Sequence, residues 1–408
     1  MSAFIDELNS RLTDLRQQNL FRELRRVDSP QSPRLTIDGR SFLNFSSNDY
    51  LGLANEPALK EAAIEAIRKF GAGTGASRLV CGSLGPHHEL DEVLANFKGT
   101  PAALAFTSGY AAATGTIGAL MDSNDVIVLD KLVHASIVDA ARLCGAKVRV
   151  FGHNNLNDLE KILRWADTRH TMPSIIQTER KPRTLIVTES VFSMDGDHAP
   201  LREMAELKEK FGAWLMVDEA HATGLYGSAR RGLAEELGVS AKIEIQMGTL
   251  GKALGSAGGF ICGQRPLIDY LINRARPFVF STAPVPAAAA AATAGVRFVE
   301  SAAGEQRRNK LWANVEAFQR ATETENKSGA MERRHKPSAI IPIMIGEESR
   351  AMKIAAALRE QGIYIPAIRY PTVAHGQARL RVTLSATHEP EDITQLRAAL
   401  QSAMNLKS

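Results

Sequence analysis

The feature that most constrains this chain is the alternation, from residue 87 to about residue 217, of short apolar runs with segments of helical periodicity. Leu185-Ile186-Val187 and Trp214-Leu215-Met216-Val217 are unbroken apolar runs, as expected of strands covered on both faces. Strands are expected at Ala102 to Thr107, Val126 to Leu129, Val148 to Phe151, Thr184 to Thr188 and Trp214 to Val217. Helical spacing fills the gaps at His88 to Lys98, from near Tyr110, and at Ala135 to Leu143, Leu156 to Trp165 and Leu201 to Phe211. This rhythm predicts an α/β sandwich on a mostly parallel sheet.

In such sheets ligands bind beyond the carboxyl ends of the strands. The polar residues expected there are Ser108-Gly109-Tyr110, Glu189 through Ser193, Asp218 through His221, and the glycine-rich loop Met247 to Gly259 that carries Lys252. A lysine amine held among small residues in a partly dry cleft can lose its proton and form a Schiff base with a carbonyl cofactor. Thr249 offers a hydroxyl to a phosphate, and Gly109 and Tyr110 open a helix whose free amides can hold one. Asp218 ends an apolar strand where an unpaired carboxylate is costly, so it calls for a cation such as a protonated pyridine nitrogen. Its ordinary alternative is a helix N-cap for a segment starting near His221. His134 and His221 are the histidines that stand out. A nucleotide-phosphate loop fits badly, because Ala253 follows Lys252 where Ser or Thr is required. Gly71 to Ala76 superficially matches a dinucleotide fingerprint, but it ends a helix instead of opening one.

The 408 residues leave room for a large core and a smaller domain. A net charge of +4, with both signs interspersed, gives no electrostatic footprint for nucleic acid. Cys81, Cys144 and Cys262 form no Cys-x-x-Cys spacing, which argues against a disulfide framework and a zinc site, so no metal is expected and a reducing cytoplasm is. No apolar run is long enough for a bilayer, and Ala287 to Ala292 reads as a packed helix. Phe4, Leu8, Leu12, Leu15 and Leu20 predict an amphipathic helix from Phe4 to about Arg26 that must pack on something. A strand pair at Leu35 to Phe45 and a helix at Pro57 to Phe70, stopped by Gly71, follow. A long helical region is expected through Phe318, and Thr322 to Pro337 is the most loop-like stretch. The tail reads β-α-β-β-α: Ile340 to Ile345, Met352 to Arg359, Tyr364 to Ile368, Leu380 to Ser385 and Ile393 to Met404. The expected division is 1–45 for an N-terminal helix and short strands, 46–290 for a large α/β domain and 291–408 for a small C-terminal α+β domain.

Asn48-Asp49-Tyr50-Leu51-Gly52-Leu53, His134-Ala135-Ser136, Phe192-Ser193-Met194-Asp195-Gly196, Val217-Asp218-Glu219-Ala220-His221 and Gly248-Thr249-Leu250-Gly251-Lys252-Ala253 resemble, in order, the signature segments of the α-oxoamine synthases. The resemblance runs from about Arg22 to the C-terminal helix. It implies a fold-type I, aspartate-aminotransferase-like transferase with a large three-layer α/β domain, and pyridoxal 5'-phosphate (PLP) as cofactor. It assigns Lys252 to hold the cofactor and act as acid and base at Cα, and Asp218 to pair with the pyridine nitrogen. His134 would stack on the ring, and His221 and Ser193 would hydrogen-bond its phenolic oxygen. Gly109, Tyr110 and Thr249 would bind the phosphate, helped by Ser281 of a second subunit. Arg381 would clamp the amino-acid carboxylate, and Arg22, Asn48, Arg369 and Thr372 would line the substrate entrance. The implied reaction is a decarboxylating Claisen condensation of a small amino acid with an acyl thioester on CoA or a carrier protein, in a cytoplasmic homodimer with a shared active site. The substrates expected are alanine and a pimeloyl thioester, as in biotin synthesis, on the resemblance of Ala367 to Val373. The alternative, on the resemblance of Gly248 to Gly255 and Arg276-Pro277-Phe278, is glycine with an acetyl thioester or another reaction of the same family, and an aminotransferase is a remoter one.

Overall fold

The computed structural model describes residues 2–171, 181–325 and 337–405. The chain divides into two compact units, one built from the residues up to Tyr50, Met194–Gly196 and those from Asn309 on, the other from Leu51–Ser193 and Asp197–Arg308. The first unit opens with helix α1 (Ala3–Gln17), which stops well short of Arg26. Asn19 adopts a left-handed φ of 57°, and the amides of Leu20 and Phe21 fold back onto the Leu15 carbonyl, so Leu20 falls outside the helix. None of the helix is buried: Phe4 is 69% exposed and Leu8, Leu12 and Leu15 show 37–39%, so the packing expected of this stripe is not made among the described residues. Strands β1 (Arg34–Ile37) and β2 (Arg40–Asn44) pair as a hairpin whose two turn residues, Asp38 and Gly39, both take positive φ.

The second unit holds the predicted alternation. It begins with α2 (Pro57–Phe70) and a π turn at Arg78–Gly82. Helix α3 (Gly85–Lys98) starts three residues ahead of the sequence reading, because Pro86 fits its first turn. There follow β3 (Ala102–Phe106), α4 (Gly109–Leu120), β4 (Val126–Asp130), α5 (Ala135–Leu143), β5 (Lys147–Phe151), α6 (Leu156–Thr171), β6 (Thr184–Glu189), α7 (Leu201–Phe211) and β7 (Trp214–Asp218). The unit closes with α8 (Leu233–Glu236), β8 (Ile245–Thr249), β9 (Gly259–Gly263), α9 (Arg265–Arg274), α10 (Arg276–Val279) and α11 (Pro286–Glu300). One seven-stranded sheet has the order β3-β9-β8-β7-β6-β4-β5, parallel except for β9, which runs against both its neighbours. Helix α4 packs on this sheet through Ala112, Ala113 and Ile117, and the strand side chains Ile127, Leu185, Val187 and Met216 are completely buried. The register brings the last residues of β3, β8, β7, β6 and β4 to one edge: Phe106 and Thr249 both face Gly259, and Glu189 faces Asp218, whose other neighbour is Met247.

The long helical region is broken at Ser301, where α12 (Ala302–Glu325) begins. Thr322 to Glu325, expected as loop, continue that helix, and 326–336 lie outside the described residues. The first unit then adds β10 (Ile340–Gly346), α13 (Glu348–Glu360), β11 (Ile363–Tyr364), β12 (Ala367–Ile368), β13 (Ala378–Thr383) and α14 (Pro390–Met404). The single strand expected at Tyr364 to Ile368 is two. Pro366 has no amide to offer a ladder, so β11 joins β2 in one three-stranded sheet while β12 pairs with β13 in another. No described helix is long and apolar enough to cross a membrane.

Candidate active site

The loop from β8 to β9 is held rather than loose. Thr249 Oγ1 donates to the Gly258 carbonyl at 2.9 Å, the Leu250 amide donates to the same oxygen, and Ser256 Oγ donates to the Ala288 carbonyl of α11 at 2.7 Å. At Gly255, φ is 70° and a Cβ would lie 2.6 Å from the Leu53 backbone, so only glycine lets the loop seat so closely. On this platform Lys252 Nζ lies 2.7 Å from His221 Nε2.

Asp218, 6% exposed, accepts the Ala220 amide on Oδ1 at 2.9 Å. Residues 220–224 form turns, so no helix begins at His221 and the N-cap alternative falls away. Burial raises the Asp218 pKa, and Lys252 and His134 pull against it. Beside it Glu189 is pushed up to about 8, first by burial and then by the Asp218 charge. Glu189 Oε2 accepts the Ser193 amide at 3.2 Å. The sequence placed Glu189 at a strand end without a role; its signal was its position on the strand paired to Asp218. His134 is the N-cap of α5, its Nδ1 set against the Ser136 amide and hydroxyl. Burial lowers its pKa, which favours a neutral ring at pH 7.

Ser108 caps α4 by accepting the Ala111 amide at 3.0 Å, which leaves the Gly109 and Tyr110 amides at the open end of the helix. A Cβ on Gly259 would lie 2.6 Å from Gly109 Cα, so β9 packs directly against that helix start. Tyr110 is half exposed and its hydroxyl donates to Asp139 at 2.8 Å; Ser281 is partly exposed just after α10. Behind Asp218, Glu219 forms a fully buried ion pair with Lys98 at 2.5 Å. All of these residues belong to the second unit.

In the first unit Arg381 of β13, 7% exposed, donates from Nη2 to Asn48 Oδ1 at 3.0 Å and approaches the Tyr50 hydroxyl at 3.4 Å. Arg22 Nη2 donates to Thr372 Oγ1 at 3.2 Å. Arg369 is 8% exposed, and its guanidinium is taken up by the carbonyls of Asn19 and Phe21 at 2.7 and 2.8 Å, which ties down the segment after α1. The six residues expected of substrate binding are thus split: Arg381 with Asn48, Arg22 with Thr372, Arg369 on backbone, and His134 in the other unit. Among the described residues no group of three His, Cys, Asp or Glu side chains is placed to hold a metal ion.

The sequence profile described as aminotransferase class I and II matches residues 40–400. An 8-amino-7-oxononanoate synthase of Geotalea daltonii is 46% identical over 402 residues, 98% of this chain and 97% of that protein. A solved serine palmitoyltransferase from S. paucimobilis with bound PLP superposes with a TM-score of 0.87 at 30% identity, covering 98% of this chain and 97% of its own. The 8-amino-7-oxononanoate synthase from Francisella tularensis gives a TM-score of 0.72 at 27% identity, over 89% of this chain and 98% of its own.

Proposed function

The chain belongs to the aminotransferase class I and II family and is a PLP-dependent α-oxoamine synthase acting on an amino acid and an acyl thioester, and from that premise we propose how its residues divide the work. The overall reaction joins L-alanine to a pimeloyl thioester, releases carbon dioxide and the thiol, and yields 8-amino-7-oxononanoate for biotin synthesis. The residues fit the cofactor. Asp218 is a buried carboxylate in want of a cation, Lys252 supplies an amine, and the amides of Gly109 and Tyr110 supply a phosphate cradle. When bound, PLP supplies an electron-withdrawing ring that stabilises negative charge at the α-carbon of the amino acid.

Asp218 holds the ring nitrogen protonated, since its own buried charge is satisfied only by a cation. Lys252 Nζ takes the proton from the α-carbon of alanine and later returns it to the product. His221, at 2.7 Å from that amine, shares its proton and with Ser193 hydrogen-bonds the phenolic oxygen. The His134 ring, whose pKa burial lowers, would cover one face of the pyridine. The Gly109 and Tyr110 amides would hold the phosphate with Ser281 of a second copy, and Thr249 would join them by turning its hydroxyl away from the Gly258 carbonyl. Arg381, oriented by Asn48, grips the alanine carboxylate through paired N–H donors. Arg22, Arg369 and Thr372 border the thioester entrance, Arg369 by fixing the segment that carries Arg22.

A cytoplasmic homodimer with a shared active site is part of the same reading. It is supported by the exposed stripe of α1, and by Leu79, Val80 and Phe280, which are 51%, 77% and 72% exposed, Phe280 directly preceding Ser281. Three free cysteines suit a reducing compartment. The approach of Lys252 to His221 beside buried Asp218 carries the whole reading. The test is product analysis of the PLP-loaded protein with alanine plus pimeloyl-CoA against glycine plus acetyl-CoA. The first pair is expected to react faster by at least roughly two orders of magnitude, as pocket selection for chain length and a methyl group allows. Turnover of the second pair alone would overturn the substrate assignment.

A further inference from the structure

His153 lies two residues past the end of β5 and has no place in the chemistry above. Its Nδ1 lies 2.9 Å from Asp130 Oδ1 and its Nε2 lies 2.7 Å from Asp197 Oδ2. With a carboxylate at each ring nitrogen, both nitrogens must donate, and only the imidazolium has two N–H groups. The carboxylates are themselves fixed. Asp130 also accepts the amides of Leu132 at 2.8 Å and Asn154 at 2.9 Å, and Asp197 accepts the Asn154 side-chain amide at 2.9 Å. The Phe192 ring meets the imidazole edge-on at 4.3 Å between centroids. Burial alone would lower the His153 pKa, but hydrogen bonds and charge from the two carboxylates raise it to about 10.

What the pin joins gives it a function. Asp130 ends β4 four residues before His134, and the hydrogen bonds of Leu132 and Val133 to Asp130 shape the turn that delivers His134 to the head of α5. Asp197 follows Ser193 by four residues, its carbonyl accepts the Phe192 amide at 3.0 Å, and a bridge between Val191 and His198 closes that loop. Resting on the reading that His134 and Ser193 contact the cofactor, we propose that His153, as an imidazolium bridging Asp130 and Asp197, is a positioning residue that sets the placement of His134 and Ser193 around the cofactor ring. A charged hydrogen-bond pair on each side holds two loops that are far apart in sequence to one geometry.

Two measurements test this. Nitrogen-15 NMR of the imidazoles in the cofactor-free wild type is expected to show one ring protonated on both nitrogens from pH 6 to 8.5. That ring should be missing from His153→Gln. In PLP-loaded His153→Gln the visible absorbance band is expected to form, since Lys252 is intact, but with an altered pH midpoint and a PLP dissociation constant raised about tenfold, the usual effect of one charge-assisted hydrogen bond. Asp197→Asn, which removes one carboxylate and leaves the other, should move the midpoint in the same direction. A His153 ring titrating near pH 6.5 would overturn the proposal. So would a variant that loses stability but keeps the wild-type midpoint and PLP affinity, because the pin would then be a structural staple alone. A wild type with no visible band would instead sink the cofactor reading, and the proposal with it.

Discussion

Asp218 costs the unliganded protein stability so that it can serve a cation when one arrives. Its carboxylate is buried at the end of an apolar strand, and its pKa is raised because water is excluded there. Asp218→Asn keeps an oxygen to accept the Ala220 amide and removes the buried charge. The cofactor-free variant is therefore expected to be more stable than wild type at pH 7 by on the order of 1 kcal/mol, read from urea unfolding. Turnover should fall by roughly 100-fold or more, as when one preorganised electrostatic partner is deleted. A variant both less stable and fully active would refute this account of Asp218. That Lys252, His221 and Asp218 belong together was legible in the sequence, because each follows an apolar strand end and carries a matching chemistry. Glu189 and His153 were not so legible. What makes each unusual is a partner, Asp218 for one and the Asp130 and Asp197 pair for the other, that the sheet supplies from distant parts of the chain.

At the scale of elements, α11 and the Lys252 loop fix each other through close backbone approach. A Cβ on Gly295 of α11 would stand 2.2 Å from the Leu254 carbonyl oxygen, and Ser256 bonds the same helix. Helix propensity alone favours Gly295→Ala by about 1 kcal/mol. The overlap costs more, about 1–3 kcal/mol, because backbone cannot give way as a flexible side chain can. Gly295→Ala should therefore lower the thermal midpoint and weaken PLP retention, while Gly118→Ala in α4, with nothing within 4 Å of its new methyl, should raise the midpoint. Equal behaviour of the two variants in differential scanning calorimetry would show that the contact is not tight. Strands β3 to β7 were readable as apolar runs, but β9 was not. Gly259 to Gly263 is flanked by glycine and is antiparallel, so it breaks the strand–helix rhythm that identified the others. Helix α1 was overextended for a related reason: apolar spacing continues through Leu20, whereas the left-handed Asn19 that ends the helix leaves no mark on periodicity.

For the whole molecule, the dependence of stability on pH follows from the groups that folding shifts. Burial lowers the pKa of His87, His134 and His388, so each binds fewer protons folded than unfolded only below about pH 6.5, where each opposes folding. Above that value the resolved shifts near neutrality share one sign. His153 is raised from 6.5 to about 10, Glu189 from 4.5 to about 8, and burial raises Cys144 and takes Cys262 to about 12. Each of these groups binds more protons folded than unfolded between its two pKa values, so each makes stability fall as pH rises through that interval. The cofactor-free protein should accordingly lose stability steadily from pH 6.5 to 10. The share owed to His153 is fully present below pH 6.5 and is gone above about 10. The stability gap between wild type and His153→Gln, measured as urea midpoints at half-unit steps, should therefore be widest at pH 6 and shrink toward pH 10. A gap that stays constant across this range would mean that the ring holds Asp130 and Asp197 without carrying a charge, and that its grip on the two loops is steric.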